Sequence, residues 1–301
     1  MQTTKSALPE SAMIFGCGYV GTALAERLIK LGVRVGALTR NAGRAAGLRA
    51  IGVTEVIEAD LDSGEWADRL SASYESVLNC VSSAGGGIEG YRKSYVEGQQ
   101  RILEWAEAQT IRSYVYTSSS SVYAQDGGVW VDEAVDTTGA PATGQVLLES
   151  EQLIESHAHR YASWYVLRLA GIYGPERHFL LNQLKEGNGT IPGRGDYHMN
   201  MIHRDDITSA ILSALSGLPP SGIYNICDDQ PATKEVVLRY LAEQLDLPVP
   251  EFDPDDISPR LKRRGGRMPD RRISNHKAKA QLDWEPVYPS YQQGYAALLG
   301  S

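Results

Sequence analysis

A tight glycine turn between an apolar run and an amphipathic one constrains this chain more than any other feature. Phe15-Gly16-Cys17-Gly18-Tyr19-Val20-Gly21 follows the short apolar segment Ala12-Met13-Ile14-Phe15 and precedes a stretch with helical spacing, Thr22 to Leu31. A strand that turns through G-x-G-x-x-G into a helix is the setting in which that spacing signals a dinucleotide. Gly16 allows the tight turn, Gly18 lets the backbone approach a pyrophosphate, and Gly21 lets the helix lie close to the strand. The N–H groups of the first helical turn, from Tyr19 and Val20 onward, have no intrahelical acceptor and are offered to phosphate oxygens.

The alternation continues. Strands are expected at Val33–Thr39, Val53–Glu58, Ser76–Val81, Ser113–Thr117 and Trp164–Leu169, with helices at Ala42–Ile51, Gly90–Gln109 and Gln145–Ala158. Strands separated by helices of this length imply an α/β fold, a parallel sheet covered on both faces. Right-handed crossovers then make it a doubly wound Rossmann fold. After Tyr173-Gly174-Pro175 the loops lengthen, leaving helical spacing at Asp205–Leu218 and Thr233–Leu245 and a strand pattern at Gly222–Ile226. The division expected is a dinucleotide-binding domain over 12–175 and a smaller C-terminal substrate lobe over 176–301, interleaved with the sheet edge.

Composition narrows the function classes. Apolar residues make up 42% of the 301, enough for a large core, and the formal charge of −8 argues against a general nucleic-acid surface. Cys17, Cys80 and Cys227 are widely spaced, which predicts neither a disulfide framework nor a structural zinc site. The histidines show no ligand spacing, so no metal is expected. The N-terminal segment is polar and no apolar run reaches about 18 residues, so neither a signal peptide nor a membrane span is expected. The location these features suggest is cytoplasmic. Oligomeric state is left open.

Charge at the end of the second strand bears on which dinucleotide binds. NAD is usually held by a carboxylate there, about 20 residues past the glycines. This chain has Thr39-Arg40-Asn41, with Arg44 close behind and no acidic residue from Val35 to Ala50. Two guanidiniums suit a 2′-phosphate, which favours NADP over NAD; Arg40 stacking on adenine or facing solvent is the alternative. Asp60 and Leu61, after the third strand, are placed to meet the adenine edge, unless Asp60 caps a helix instead. Val81 ends the fourth strand, where the family likeness carried by later segments implies that a cofactor ribose passes. The arginine-rich stretch 260–272, with Arg267 in it, is either a solvated loop or a clamp for an anionic substrate.

Further segments carry a family likeness. Tyr116-Thr117-Ser118-Ser119-Ser120-Ser121-Val122-Tyr123, Leu167-Arg168-Leu169-Ala170-Gly171-Ile172-Tyr173-Gly174-Pro175, Asn200-Met201-Ile202-His203-Arg204-Asp205-Asp206 and Tyr224-Asn225-Ile226 stand in consistent order behind the glycine motif. Together they resemble the extended and atypical short-chain dehydrogenase/reductases, the NAD(P)-dependent epimerase/dehydratase group. The resemblance covers about residues 12 to 299 and implies a Rossmann core with a C-terminal substrate lobe.

In that group a Ser or Thr, a Tyr and a Lys carry the redox step. The resemblance puts the Ser/Thr on Ser119, with Ser118 and Ser120 flanking it; Ser118 is placed to touch the cofactor and Ser120 to share the catalytic role. The tyrosine and lysine are missing. Thr143 stands at the tyrosine position and Leu147 at the lysine position, with Glu151 fixing the register. A threonine hydroxyl is far too weak an acid to replace a phenol near pH 7, and leucine offers a ribose nothing. Tyr173, just past the sixth strand, is the proposed replacement acid. His203 is a candidate substrate contact that could instead be an ordinary loop histidine. Tyr95 occupies the place where many relatives carry asparagine.

The function expected is an NAD(P)-dependent oxidoreductase or epimerase/dehydratase-like enzyme acting on a small polar or sugar-like molecule, a nucleotide sugar among the options. The alternative is an NADP-binding sensor or scaffold that has lost the chemistry.

Overall fold

The computed structural model describes residues 8–83, 85–186, 189–256, 262 and 268–300. The glycine turn joins β1 (Ser11–Phe15) to α1 (Tyr19–Lys30), and the alternation runs on through β2 (Arg34–Thr39), α2 (Ala42–Ala50), β3 (Glu55–Glu58) and β4 (Ser76–Asn79). Two short helices, α3 (Gly87–Arg92) and α4 (Gly98–Glu107), lead to β5 (Ser113–Ser119). The three-residue β6 (Val129–Val131), then α5 (Ala142–His157), β7 (Ser163–Leu169) and the short β8 (Gly171–Tyr173) follow.

Beyond β8 come α6 (Phe179–Glu186), β9 (Thr190–Pro192), β10 (His198–Met199), β11 (Met201–His203) and α7 (Arg204–Leu215). They are followed by β12 (Gly222–Ile226), β13 (Ala232–Thr233), α8 (Lys234–Gln244), β14 (Glu251–Asp253) and β15 (Arg271–Ile273), with helices His276–Gln281 and Tyr291–Leu299 at the end. The central sheet has seven parallel strands in the order β3-β2-β1-β4-β5-β7-β12. Both faces are covered, so the inner strands read as continuous apolar runs; all five residues of β1 are buried. Leu24, Leu28, Ile14, Leu78 and Ile211 pack on one face, and Phe15, Trp66, Trp105 and Tyr114 on the other. Phe15 meets Trp66 edge-on at 5.0 Å and Trp105 at 5.4 Å.

The chain winds outward from β1 to β3, then returns across β1 to β4 and builds in the other direction. That reversal opens a crevice at the carboxyl ends of β1 and β4, where doubly wound sheets take ligands. A third core gathers Tyr173, Leu180, Leu181, Ile191, Val237, Leu241, Tyr291 and Tyr295 beside the sheet. The seventh strand, β12, comes from beyond residue 175, so the second lobe and the sheet are threaded through one another.

Several boundaries differ from the sequence reading by one to three residues, and three differences have a local reason. α1 begins at Tyr19 rather than Thr22, because its first turn is made of motif residues that carry no apolar periodicity. β4 ends at Asn79 rather than Val81: the Asn79 side chain accepts the Val81 N–H at 3.1 Å and turns the chain out of the sheet. The single helix expected over 90–109 is interrupted by a π-turn, Lys93–Glu97, which widens the helix around Tyr95.

Candidate cofactor and active site

The glycine loop is held from below. Gly16 N–H and Cys17 N–H both donate to the Leu38 carbonyl, at 3.1 and 3.2 Å, and Gly18 N–H donates to Gly16 O. Gly16 has φ of +82°, and a Cβ there would lie 2.6 Å from the Val81 Cα. A Cβ on Gly21 would come within 2.7 Å of Gly16 O, so helix and strand touch backbone to backbone. Gly18 is different: a Cβ there would meet only Gly16 O, at 3.9 Å, leaving its other side open. The first intrahelical acceptor is Gly18 O, taken by Thr22 N–H, which leaves the N–H groups of Tyr19, Val20 and Gly21 for a ligand.

At the β2 end, Arg40 is exposed and its side chain has no partner among the described residues. Asn41 caps α2, its Oδ1 accepting Arg44 N–H at 2.8 Å. The Arg44 charge reaches back to the glycine loop: it pulls down the Cys17 thiol, although burial still pushes that thiol well above its ordinary pKa. Asp60 is exposed, and its carboxylate does not cap the 3-10 turn that follows. Leu61 packs toward Gly98 and its carbonyl accepts the Trp66 indole N–H.

The serine strand is anchored by a buried network. Ser118 Oγ donates to Glu151, whose carboxylate also takes Arg168 Nε at 3.1 and 3.2 Å and the Arg168 terminal nitrogen at 2.7 Å. Arg168 also reaches Tyr123 Oη at 3.1 Å, and Tyr123 donates to Asn225 Oδ1 at 2.7 Å. Burial works against the guanidinium charge, but the Glu151 carboxylate outweighs it and raises the Arg168 pKa. This network ties β5, α5, β7 and β12 together.

Ser119, half-buried at the end of β5, accepts the Ser121 N–H at 3.2 Å through its Oγ. Its own O–H has no acceptor among the described residues and is available to a substrate oxygen. Ser120 follows in the same turn, its carbonyl taken by Arg271 at 3.1 Å. The absence at the tyrosine and lysine positions has a structural counterpart. Thr143 is half-buried in the first turn of α5, and Leu147 is 1% exposed, packed in the core under the sheet. Tyr95 brings a phenol to the β4 end, where its Oη accepts the Ser83 N–H at 3.1 Å. Burial pushes that phenol up to about 12 against the opposing Ser83 bond.

Tyr173 and His203 are register partners on β8 and β11, with their rings 5.3 Å apart. Tyr173 stacks on Tyr295 at 5.0 Å, and its hydroxyl points at the C-terminal helix, where a Cβ on Gly294 would sit 1.8 Å from it. That places the phenol in the third core, with Leu180, Leu181 and Tyr291. Burial, then Asp228, raise its pKa far above the usual phenol range. His203 caps α7, its Nδ1 accepting Asp205 N–H at 3.2 Å. Its Nε2 is buried without a hydrogen-bond partner among the described residues. Arg267 lies outside the described residues.

Several residues had no signal in the sequence reading. Glu151 served there only to fix a register, yet it holds Ser118. Arg271, from the far end of the chain, buttresses the Ser120 carbonyl. Asp206 accepts Val287 and Tyr288 N–H at 2.7 and 3.1 Å and pins the C-terminal segment to α7. Among the described residues no group of three or more His, Cys, Asp or Glu could hold a metal, and no helix is long and apolar enough to cross a membrane.

Comparison with known proteins agrees with this geometry. The model of the NAD dependent epimerase/dehydratase family matches residues 12–227. The chain is 30% identical over 244 residues to Protein YeeZ of Escherichia coli (strain K12), covering 79% of this chain and 85% of that protein. It is 25% identical over 312 residues to a 3-diazoavenalumate denitrifying reductase from Streptomyces sp, covering 92% and 96%. The solved structure of MoeE5 in complex with UDP-glucuronic acid and NAD superposes with a TM-score of 0.80 at 21% identity, over 95% of this chain and 96% of that one, a likeness of fold.

Proposed function

The chain belongs to the NAD dependent epimerase/dehydratase family, and on that premise we propose that it is a dinucleotide-dependent oxidoreductase or epimerase/dehydratase-like enzyme. Its substrate is a small polar or sugar-like molecule, with nucleotide sugars in the first rank. The observation that carries the reading is Ser119, at the carboxyl end of β5, whose Oγ caps the short turn Ser120–Val122 by accepting the Ser121 N–H while its O–H has no acceptor among the described residues. When bound, the cofactor supplies or accepts a hydride at its nicotinamide. Ser119 orients and polarises the substrate oxygen, with Ser120 beside it, and the buried Glu151–Arg168 pair keeps the serine strand in place. No proton transfer is assigned to Tyr173, whose hydroxyl faces Gly294.

A dinucleotide fits the residues present. Backbone approaches that a Cβ would block, the open side of Gly18 and the free N–H groups of α1 make a cradle for a pyrophosphate. Val81 lies against that cradle, and Ser118, whose hydroxyl is taken by Glu151, would meet a bound cofactor through its backbone. We infer NADP over NAD from Arg40 and Arg44, which have no ion-pair partner among the described residues, and from the reach of the Arg44 charge to Cys17. Asp60 and Leu61 then flank the adenine. The His203 and Arg267 contacts to substrate are part of the same proposal, as is a cytoplasmic site of action.

Thr143 and Leu147 favour a second reading, in which the protein binds the dinucleotide without turning it over. NADPH oxidation against a panel of aldehydes, ketones and nucleotide sugars separates the two. Turnover lost in Ser119→Ala, with the NADPH dissociation constant unchanged, supports the enzyme. Binding with no turnover of any member sinks it in favour of the sensor.

A further inference from the structure

We propose that Arg177 and Arg204, mounted on the ring of Tyr19 at the start of α1, form a second cationic grip that closes on a bound diphosphate. The inference rests on the nucleotide-binding reading above and assigns to it residues far from the glycine loop in sequence.

Tyr19 is the first residue of α1, so its backbone N–H is one of the free donors of that helix. Its hydroxyl donates to the Pro175 carbonyl at 2.7 Å. The guanidinium carbons of Arg177 and Arg204 lie 5.5 and 5.2 Å from the ring centroid, within range of the ring's quadrupole. Arg177 projects from a turn closed by two backbone bonds, Gly174 N–H to Arg177 O at 3.1 Å and Arg177 N–H to Gly174 O at 3.0 Å. The turn cannot move away freely. A Cβ on Gly174 would lie 2.8 Å from Tyr19 Oη, 3.2 Å from the Arg204 Cβ and 3.4 Å from His203 Nε2.

The neighbouring charges set the balance. Arg204 gives only its Nε to Asp205, at 3.0 Å, which leaves its terminal nitrogens for another acceptor. The Arg177 side chain is exposed, and its guanidinium has no hydrogen-bond or ion-pair partner among the described residues. Glu176, on the same turn, and Asp205 are the acidic groups near the ring. An independent sign of a ligand is His203 Nε2, a polar atom of a side chain 2% exposed with no hydrogen-bond partner among the described residues. With Nδ1 accepting from Asp205, the neutral ring carries its proton on Nε2, a donor at the seam between α1, the turn and α7. Burial lowers the His203 pKa, which keeps that neutral form at pH 7.

Two guanidiniums, a helix N-terminus and an imidazole N–H offer more donors than a single phosphate takes up, which suits a diphosphate. The diphosphate is that of the dinucleotide or that of a nucleotide-diphosphate substrate. The test titrates NADPH, NADH, UDP and adenosine 2′-monophosphate into the full chain and into Arg177→Gln, Arg204→Gln and the double variant, with thermal unfolding as the folding control. Each single variant is expected to weaken NADPH and NADH equally, by about tenfold, without affecting adenosine 2′-monophosphate, which has no diphosphate. Weakening of UDP alone supports the grip and assigns it to the substrate. Unchanged affinity for NADPH, NADH and UDP in the folded double variant overturns it. Wild-type protein that binds UDP but no dinucleotide defeats the cofactor reading instead, and the UDP titration then decides the grip.

Discussion

Two ion pairs on the same helix should behave very differently when one partner is removed. Glu151 and Glu149 both lie on α5. Glu151 pairs with Arg168 at 2.7 Å with side chains 2% and 4% exposed, whereas Glu149 pairs with Arg92 at 2.8 Å with side chains 43% and 42% exposed. Arg168→Met keeps much of the side-chain volume but strips the Glu151 carboxylate of three of its hydrogen bonds, leaving only Ser118. An uncompensated buried carboxylate costs about 3–5 kcal/mol. Arg92→Met should cost far less, because solvent already screens that pair.

Urea unfolding followed by circular dichroism reads both. Replacing both partners, Arg168→Met with Glu151→Leu, should recover most of the loss, because no charge remains buried. Equal costs for Arg168→Met and Arg92→Met would refute the claim that burial, rather than pairing as such, sets the value of this network.

Gly21→Val should fold with reduced stability and lose NADPH affinity by at least about tenfold in a fluorescence titration, since its Cβ would sit 2.7 Å from Gly16 O and push α1 off the loop; unchanged affinity would remove the glycine-cradle account. Gly294→Ala forces a Cβ onto the Tyr173 hydroxyl and should cost about 1–3 kcal/mol. Tyr173→Phe in the same chain should restore much of it, and a lack of rescue would mean that the clash lies elsewhere. Burial holds the Asp228 pKa well above the ordinary carboxylate value, so its stabilising contribution is present at low pH and lost as pH rises through the folded pKa. Asp228→Asn should therefore gain thermal stability over wild type increasingly from about pH 4 to pH 8; parallel melting curves across that range would exclude an ionisable Asp228.

The parts of this protein legible in one dimension are those whose cause is local. The glycine motif, the alternating strands and helices, and the doubly wound parallel sheet follow from turn chemistry and apolar period, which are properties of short segments. The missing phenol and amine at Thr143 and Leu147 were equally plain, because a register carries residue identity with it. Strand and helix ends were less so: Asn79 ends β4 with its own side chain, and the π-turn at Tyr95 leaves the apolar spacing unbroken.

Which buried polar groups meet was decided by tertiary structure alone. Glu151 finds Arg168 because α5 crosses β7, and Arg271 finds Ser120 across 151 residues. Tyr173 sits where ligands bind in a one-dimensional reading, yet the packing of the C-terminal helix turns its hydroxyl toward Gly294. Tyr19 and Pro175 are 156 residues apart and share a hydrogen bond. A segment's pattern specifies its period and its buried face, but a polar group's partner depends on which elements end up adjacent, and that is fixed only when the whole core closes.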